Sequence, residues 1–170
     1  CKTGNMCSIP PHLSYSMACH GTPPKAFKNR MDLINAIKAY NNSPCTNTGY
    51  GNIEYWNTSK VTEMKSLNLN GGLFDGNFNA DISRWNTSKV KNMALMFNQV
   101  TKFNQNIGGW NTSSVNNMFR MFVSTTAFNS DISRWNTSSV TDMNSILLLS
   151  KTYNQKNTTC NTICVRRIIK

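Results

Sequence analysis

The stretch Trp85-Asn86-Thr87-Ser88-Lys89-Val90-Lys91-Asn92-Met93-Ala94-Leu95-Met96-Phe97 decides how this chain is read, because it comes back. Twenty-five residues later stands Trp110-Asn111-Thr112-Ser113-Ser114-Val115-Asn116-Asn117-Met118-Phe119-Arg120-Met121-Phe122. Trp56 and Trp135 open two further copies, so the four tryptophans are spaced 29, 25 and 25 residues apart. In each copy a Val follows the Trp by five residues (Val61, Val90, Val115, Val140) and a Met follows the Val by three (Met64, Met93, Met118, Met143). An Ile precedes each Trp by three residues: Ile53, Ile82, Ile107 and Ile132. Phe78, Phe103 and Phe128, each followed by Asn, precede the last three tryptophans by seven. Large apolar residues at fixed phase are what stacked structural repeats require, since every copy places the same side chain in the same slot.

Two periods are visible inside a copy. Val90, Met93 and Phe97, like Val115, Met118 and Phe122, follow i, i+3, i+7 spacing and predict a short helix of about two turns. The Ser and Thr before each Val are suited to cap it. The Ile-x-x-Trp stretch is too short for a free strand, but stacked on its neighbours at about 4.8 Å it could join a parallel sheet. The fold expected is therefore α/β: a short solenoid with one short strand and one short helix per coil.

The series fades at both ends, as terminal repeats do. Residues 1–26 are Cys- and Pro-rich and read as an irregular segment; 27–49 read as a helical cap; 50–153 hold the repeats; 154–170 form a half-coil with a basic tail. Leu33, Ile34, Ile37 and Tyr40 share one face of an amphipathic helix over 27–40, which Pro44 stops. That helix would cover the open first coil. In the half-coil, Tyr153-Asn154 stands for Phe-Asn and Cys160 occupies the Trp slot. The first interval carries four extra residues, placed around Asn68 to Gly72 as a turn-rich bulge. The run Ile146-Leu147-Leu148-Leu149 replaces the Met-Phe pair of the earlier copies and sets apolar surface near the C-terminal end.

Composition narrows the function classes. In 170 residues there are 18 Lys+Arg against 7 Asp+Glu, a net charge of +11, and 26 asparagines. No apolar run approaches the roughly 20 residues of a membrane-spanning helix. Six cysteines, Cys1, Cys7, Cys19, Cys45, Cys160 and Cys164, favour an oxidising secretory compartment and disulfides that staple the caps. Fifteen pairings are open to six cysteines. Zinc is the competing reading, but Cys160-x3-Cys164 has no second matching pair and no nearby His. The first residue is a Cys rather than a Met, so the numbering is expected to begin either at a processed end or part-way along a longer chain; a lipid-modified Cys1 is a further alternative, and it leaves one odd thiol.

Catalytic chemistry needs convergent titratable groups. The only histidines, His12 and His20, lie in the irregular N-terminal segment. Of the carboxylates, Asp81 and Asp131 recur at one repeat phase, as a periodic structural role predicts. The expectation is a protein that is not an enzyme and has no cofactor and no bound metal, with a small hydrolase using the cysteine-rich cap as the out-of-class alternative. The cations are more suggestive. Lys60, Arg84, Lys89, Lys91 and Arg134 fall at or near equivalent phases and should form a ladder, with Arg166 and Arg167 in the tail. They are either a solvated face or contacts for an acidic partner. For a secreted protein that partner is an anionic polysaccharide or an acidic protein rather than nucleic acid.

The pattern Trp-Asn-Thr-Ser-x-Val-x-x-Met-x-x-Met-Phe, then Phe-Asn-x-x-Ile before the next Trp, resembles the BspA-type leucine-rich repeat family. That family is also known as the Mycoplasma-lipoprotein-type 25-residue surface-protein repeat. The helix over 27–40 followed by Tyr50-Gly51-x-Ile53-x-x-Trp56 is similar to the entry in protist and algal members. The resemblance implies a leucine-rich-repeat-like solenoid, secreted or surface-displayed, acting in adhesion, recognition or extracellular architecture through contacts with other protein subunits. Where the family has Asp after the Trp, this chain has Asn57, Asn86, Asn111 and Asn136, each in an Asn-Thr-Ser glycosylation sequon. Asn157 adds a fifth. Asn either fills the structural slot of Asp or carries a glycan, and Asn157, outside the regular coil, is the better glycan candidate.

Overall fold

The computed structural model describes residues 26–42, 50–65 and 74–155. Entry is through α1 (Arg30–Asn42), which starts three residues later than the amphipathic helix expected over 27–40 and ends two residues beyond it. Its first turn is closed by a reciprocal cap. Asn29 Oδ1 accepts the Asp32 N–H at 3.1 Å, and Asp32 Oδ2 accepts the Lys28 N–H at 3.0 Å. Leu33, Ile34, Ala36 and Ile37 are buried. The helix is seated on the first copy, with the Tyr40 and Phe27 rings meeting Trp56 edge-on at 6.2 and 5.3 Å. The Phe27 N–H donates to the Asn57 carbonyl at 3.0 Å, which fixes the register of entry.

Beyond this point neighbouring copies lie side by side. Each indole N–H donates to the Ile-slot carbonyl of the copy before it: Trp85 to Ile53 at 2.8 Å, Trp110 to Ile82 at 3.2 Å, Trp135 to Ile107 at 3.0 Å. Trp56, which has no earlier copy, donates instead to Gly51 at 3.1 Å. A buried indole N–H needs such a partner, and the preceding copy supplies it. The rings stack as well, Trp56 on Trp85 at 6.1 Å and Trp110 on Trp135 at 6.5 Å.

Two phenylalanine columns run beside the tryptophans. Phe74, Phe97 and Phe122 stack at 5.6 and 5.5 Å. Phe78, Phe103, Phe128 and Tyr153 stack at 6.1, 6.2 and 5.7 Å. Within each copy the two columns touch at 4.0 Å. Phe74 therefore fills the Phe slot of the first copy from beyond the longer interval. In the fourth copy Ile146 and Leu147 fill the Met and Phe slots and are buried, whereas Leu149 is exposed. Met64, Met93, Met118 and Met143 are all buried, as are Val61, Val90 and Val115; Val140 is partly buried. One continuous core thus runs from Phe27 to Leu147.

Two local expectations are corrected. The Ile-x-x-Trp stretch is a turn, not a strand: each Trp N–H returns to its own Ile carbonyl, at 3.2, 3.1, 3.1 and 3.1 Å for Trp56, Trp85, Trp110 and Trp135. The Val-Met-Phe stretch is not a helix. Leu95 and Gln99, Arg120 and Ser124, and Ser145 and Leu149 all have positive φ, between 56 and 63° except Arg120 at 51°. Alternate amides there point to the next copy. Met93, Leu95, Phe97 and Gln99 donate to the carbonyls of Asn117, Phe119, Met121 and Val123 at 2.9, 2.9, 2.9 and 2.7 Å. Met118, Arg120, Phe122 and Ser124 do the same to Asp142, Asn144, Ile146 and Leu148. A helix would direct every N–H along its own axis and leave nothing to bond between copies. Among the described residues parallel pairing occurs only as isolated bridges, Glu63 to Asn92, Asn92 to Asn117 and Asn117 to Asp142, after the Val rather than before the Trp. The described chain is mostly irregular, with one α-helix, one 3-10 turn at Ile53–Tyr55 and no extended strand among the described residues.

Candidate interaction face

The Asn-Thr-Ser corner explains its own repetition. Asn57, Asn86, Asn111 and Asn136 are exposed, and each Oδ1 accepts the N–H of the Ser two residues on at 3.2, 3.1, 3.0 and 3.0 Å. Hydroxyls of Ser59, Ser88 and Ser113 donate to the same oxygens at 2.7 Å. This is the turn an Asp would make, so the side-chain oxygen fills the structural slot and the side chain remains exposed. The Thr between them is buried in the first three copies. Thr58, Thr87 and Thr112 each donate at 3.0 Å to the Asn carbonyl of the following copy, at Asn86, Asn111 and Asn136.

The carboxylates do similar work. Oδ1 of Asp75, Asp81, Asp131 and Asp142 accepts the N–H two residues on at 2.9, 2.9, 2.8 and 3.0 Å. Asn92, Asn106 and Asn117 make the same turn. Hydrogen bonds from Ser133, backbone first and then side chain, hold the Asp131 carboxyl below its ordinary value, with Arg134 adding a smaller pull. A further asparagine column went unread in the sequence. Asn104, Asn129 and Asn154 each donate their N–H to Oδ1 of Asn79, Asn104 and Asn129 at 2.9, 2.8 and 2.9 Å. Its signal was the recurring Phe-Asn pair.

The cations occupy two successive turns. Lys60 and Lys89 take the same place in the turns that Val61 and Val90 close onto Thr58 and Thr87, both at 2.9 Å. Lys91 is exposed two residues further on, and its N–H donates to the Thr62 carbonyl at 2.8 Å. Arg84 sits on the turn before Trp85, where its Nε meets Glu54 Oε1 at 2.8 Å and its guanidinium lies 5.2 Å over the Tyr55 ring. Arg134 takes the equivalent place two copies on, beside Asp131. Ser114 and Ser139 take the lysine slot in the later copies, and their hydroxyls donate to the Ser88 and Ser113 carbonyls at 2.9 Å.

Cys1, Cys7, Cys19, Cys45, Cys160, Cys164, His12, His20, Asn157, Arg166 and Arg167 lie outside the described residues, as does the bulge expected at Asn68 to Gly72. Among the described residues no three metal-ligating side chains come together, and no helix is long and apolar enough to cross a membrane.

Copies of one motif laid side by side on a shared aromatic core define the class of chain this is. It belongs to the family described as Mycoplasma protein of unknown function, DUF285, whose model matches residues 26–161. No curated protein and no solved structure matches the chain.

Proposed function

We propose that the protein is a non-enzymatic binding or structural module of a cell-surface or secreted assembly, built as a short BspA-type leucine-rich-repeat solenoid. It works through contacts of its faces with other protein subunits. Its six cysteines are oxidised, and its cap segments are disulfide-stapled. The observation that carries this reading is how the polar side chains are used. Four Asp and eight Asn side chains at the turns of the described residues accept backbone N–H groups two residues on, so these polar rows are spread along a regular surface. The indole bonds from each copy to the one before it support a repeat scaffold in which function is set by what the faces present.

The experiment is solution mass together with capture of native partners, for the intact protein and for a chain truncated before Val165. Self-association or a partner that weakens on truncation is the expected result. A folded monomer with no partner, indifferent to truncation, would overturn the assembly reading. A second reading, recognition of an anionic polysaccharide, is favoured by the lysines at Lys60, Lys89 and Lys91.

A further inference from the structure

We propose that Lys60, Lys89 and Lys91 form a site for the charged groups of a linear anionic polysaccharide. Its hydroxyl-rich length would then lie along the Ser and Asn rows of the later copies. This rests on the second reading above and gives it a place and a direction.

The lysine pair is held together by structure rather than by attraction. The Thr58 hydroxyl bond to the Asn86 carbonyl and the Lys91 amide bond to the Thr62 carbonyl, 3.0 and 2.8 Å, lock the two turns in register. Copies paired this way lie about 4.8 Å apart, so Lys60 and Lys89 carry like charges on adjacent, equivalent positions. Such a pairing is unfavourable by itself. Among the described residues no carboxylate reaches any of the three lysines, whereas Arg84 has Glu54 at 2.8 Å and Lys65 has Glu63 at 3.8 Å. An anion set between the ammonium groups would remove the repulsion.

What surrounds the lysines selects the partner. Continuing the same two rows are Ser114 and Ser139, then Asn116 and Thr141, all exposed and uncharged. The exposed large hydrophobic residues among those described are Met31, Tyr55 and Leu149, and none lies in these rows. Single-stranded nucleic acid is gripped by aromatic side chains that stack on its bases, and these rows offer none. Protein partners are anchored by buried aromatic residues or Arg, also lacking here. A surface of ammonium groups followed by hydroxyls and amides matches a polymer of acidic groups and sugar hydroxyls.

The test uses the full chain and a heparin-derived oligosaccharide as probe, with affinity measured across a salt series. The triple variant Lys60→Ser, Lys89→Ser, Lys91→Thr carries the residues that later copies hold in those slots, so the fold should tolerate it. Its affinity should fall about tenfold, and the slope of log affinity against log salt should shrink by about two. Extending the row with Ser114→Lys and Ser139→Lys should tighten binding, and Arg134→Ser should leave it within about twofold. Unchanged binding by the triple variant, or no gain from the two added lysines, would overturn the site. A mixed-sequence oligonucleotide or polyglutamate bound as tightly through the same lysines would overturn the saccharide assignment. Self-association is measured without ligand, so either reading can fail while the other stands.

Discussion

The two ends of each copy hold the next copy by different means. At the Trp-Asn-Thr-Ser corner the links are side-chain bonds: an indole to an Ile carbonyl, a threonine hydroxyl to an Asn carbonyl. At the Met-x-x-Met-Phe turn they are backbone bonds, four alternate amides donating to the copy beyond. The first kind demands a particular residue, and all four corners read Trp-Asn-Thr-Ser. The second demands only a backbone angle. The positive-φ positions are filled by Leu95, Arg120 and Ser145 in one row and Gln99, Ser124 and Leu149 in the other. Sequence repetition therefore follows side-chain chemistry, and the corner should be the less forgiving region.

The largest effect expected is at the corner. Trp110→Ala removes a ring stacked on Trp135 and the bond to Ile82, and should cost about 3–5 kcal/mol in chemical denaturation. A loss below 1 kcal/mol would mean the corner does not hold the stack. Next is Gly108. A Cβ there would sit 2.4 Å from the Asp131 carbonyl oxygen of the next copy, while at Gly109 it would meet nothing within 4 Å. Gly108→Ala should cost about 1–3 kcal/mol and Gly109→Ala stay within about 0.5. Equal melting shifts for the two would contradict the close approach of the copies.

Thr112→Val keeps the shape of a buried side chain but deletes its hydroxyl, leaving the Asn136 carbonyl without that donor. About 1–2 kcal/mol should be lost, with Thr112→Ser recovering part of it. The smallest effect has the opposite sign and belongs to the other region. Gln99 holds φ 63°, a left-handed angle that costs a non-glycine residue roughly 1–2 kcal/mol, so Gln99→Gly should be neutral to stabilising. A clear destabilisation would show that the turn depends on side chains after all.

How much of this could be read from residues alone follows the same division. Trp56, Trp85, Trp110 and Trp135, with their Ile, Val, Met and Phe companions, announced the core because apolar phase survives any local conformation. The i, i+3, i+7 spacing of Val90, Met93 and Phe97 did not settle conformation, since a short helix and a run of stacked turns bury the same residues. What decides between them is an acceptor on the next copy, which no local pattern carries. Positive φ at Leu95, Gln99 and Leu149 was equally hidden, because these are residues that ordinarily avoid it. Phe74 was missed as a column member because the longer first interval displaces it from the 25-residue phase. At the candidate face, the lysine phases were legible, but Arg84 and Arg134 turned out to occupy a separate turn. That Arg84 is engaged by Glu54 required the neighbouring copy.

Each copy bonds to its neighbour through both regions in one register, and nuclear Overhauser contacts can read that register residue by residue. This register predicts cross-peaks from the indole N–H protons of Trp85, Trp110 and Trp135 to the α-protons around Ile53, Ile82 and Ile107, 32, 28 and 28 residues earlier. It also predicts contacts of the Leu95 and Phe97 amides with residues 119 and 121. Indole protons with only local neighbours, together with the α(i)–amide(i+3) pattern of a helix over 90–97, would contradict it.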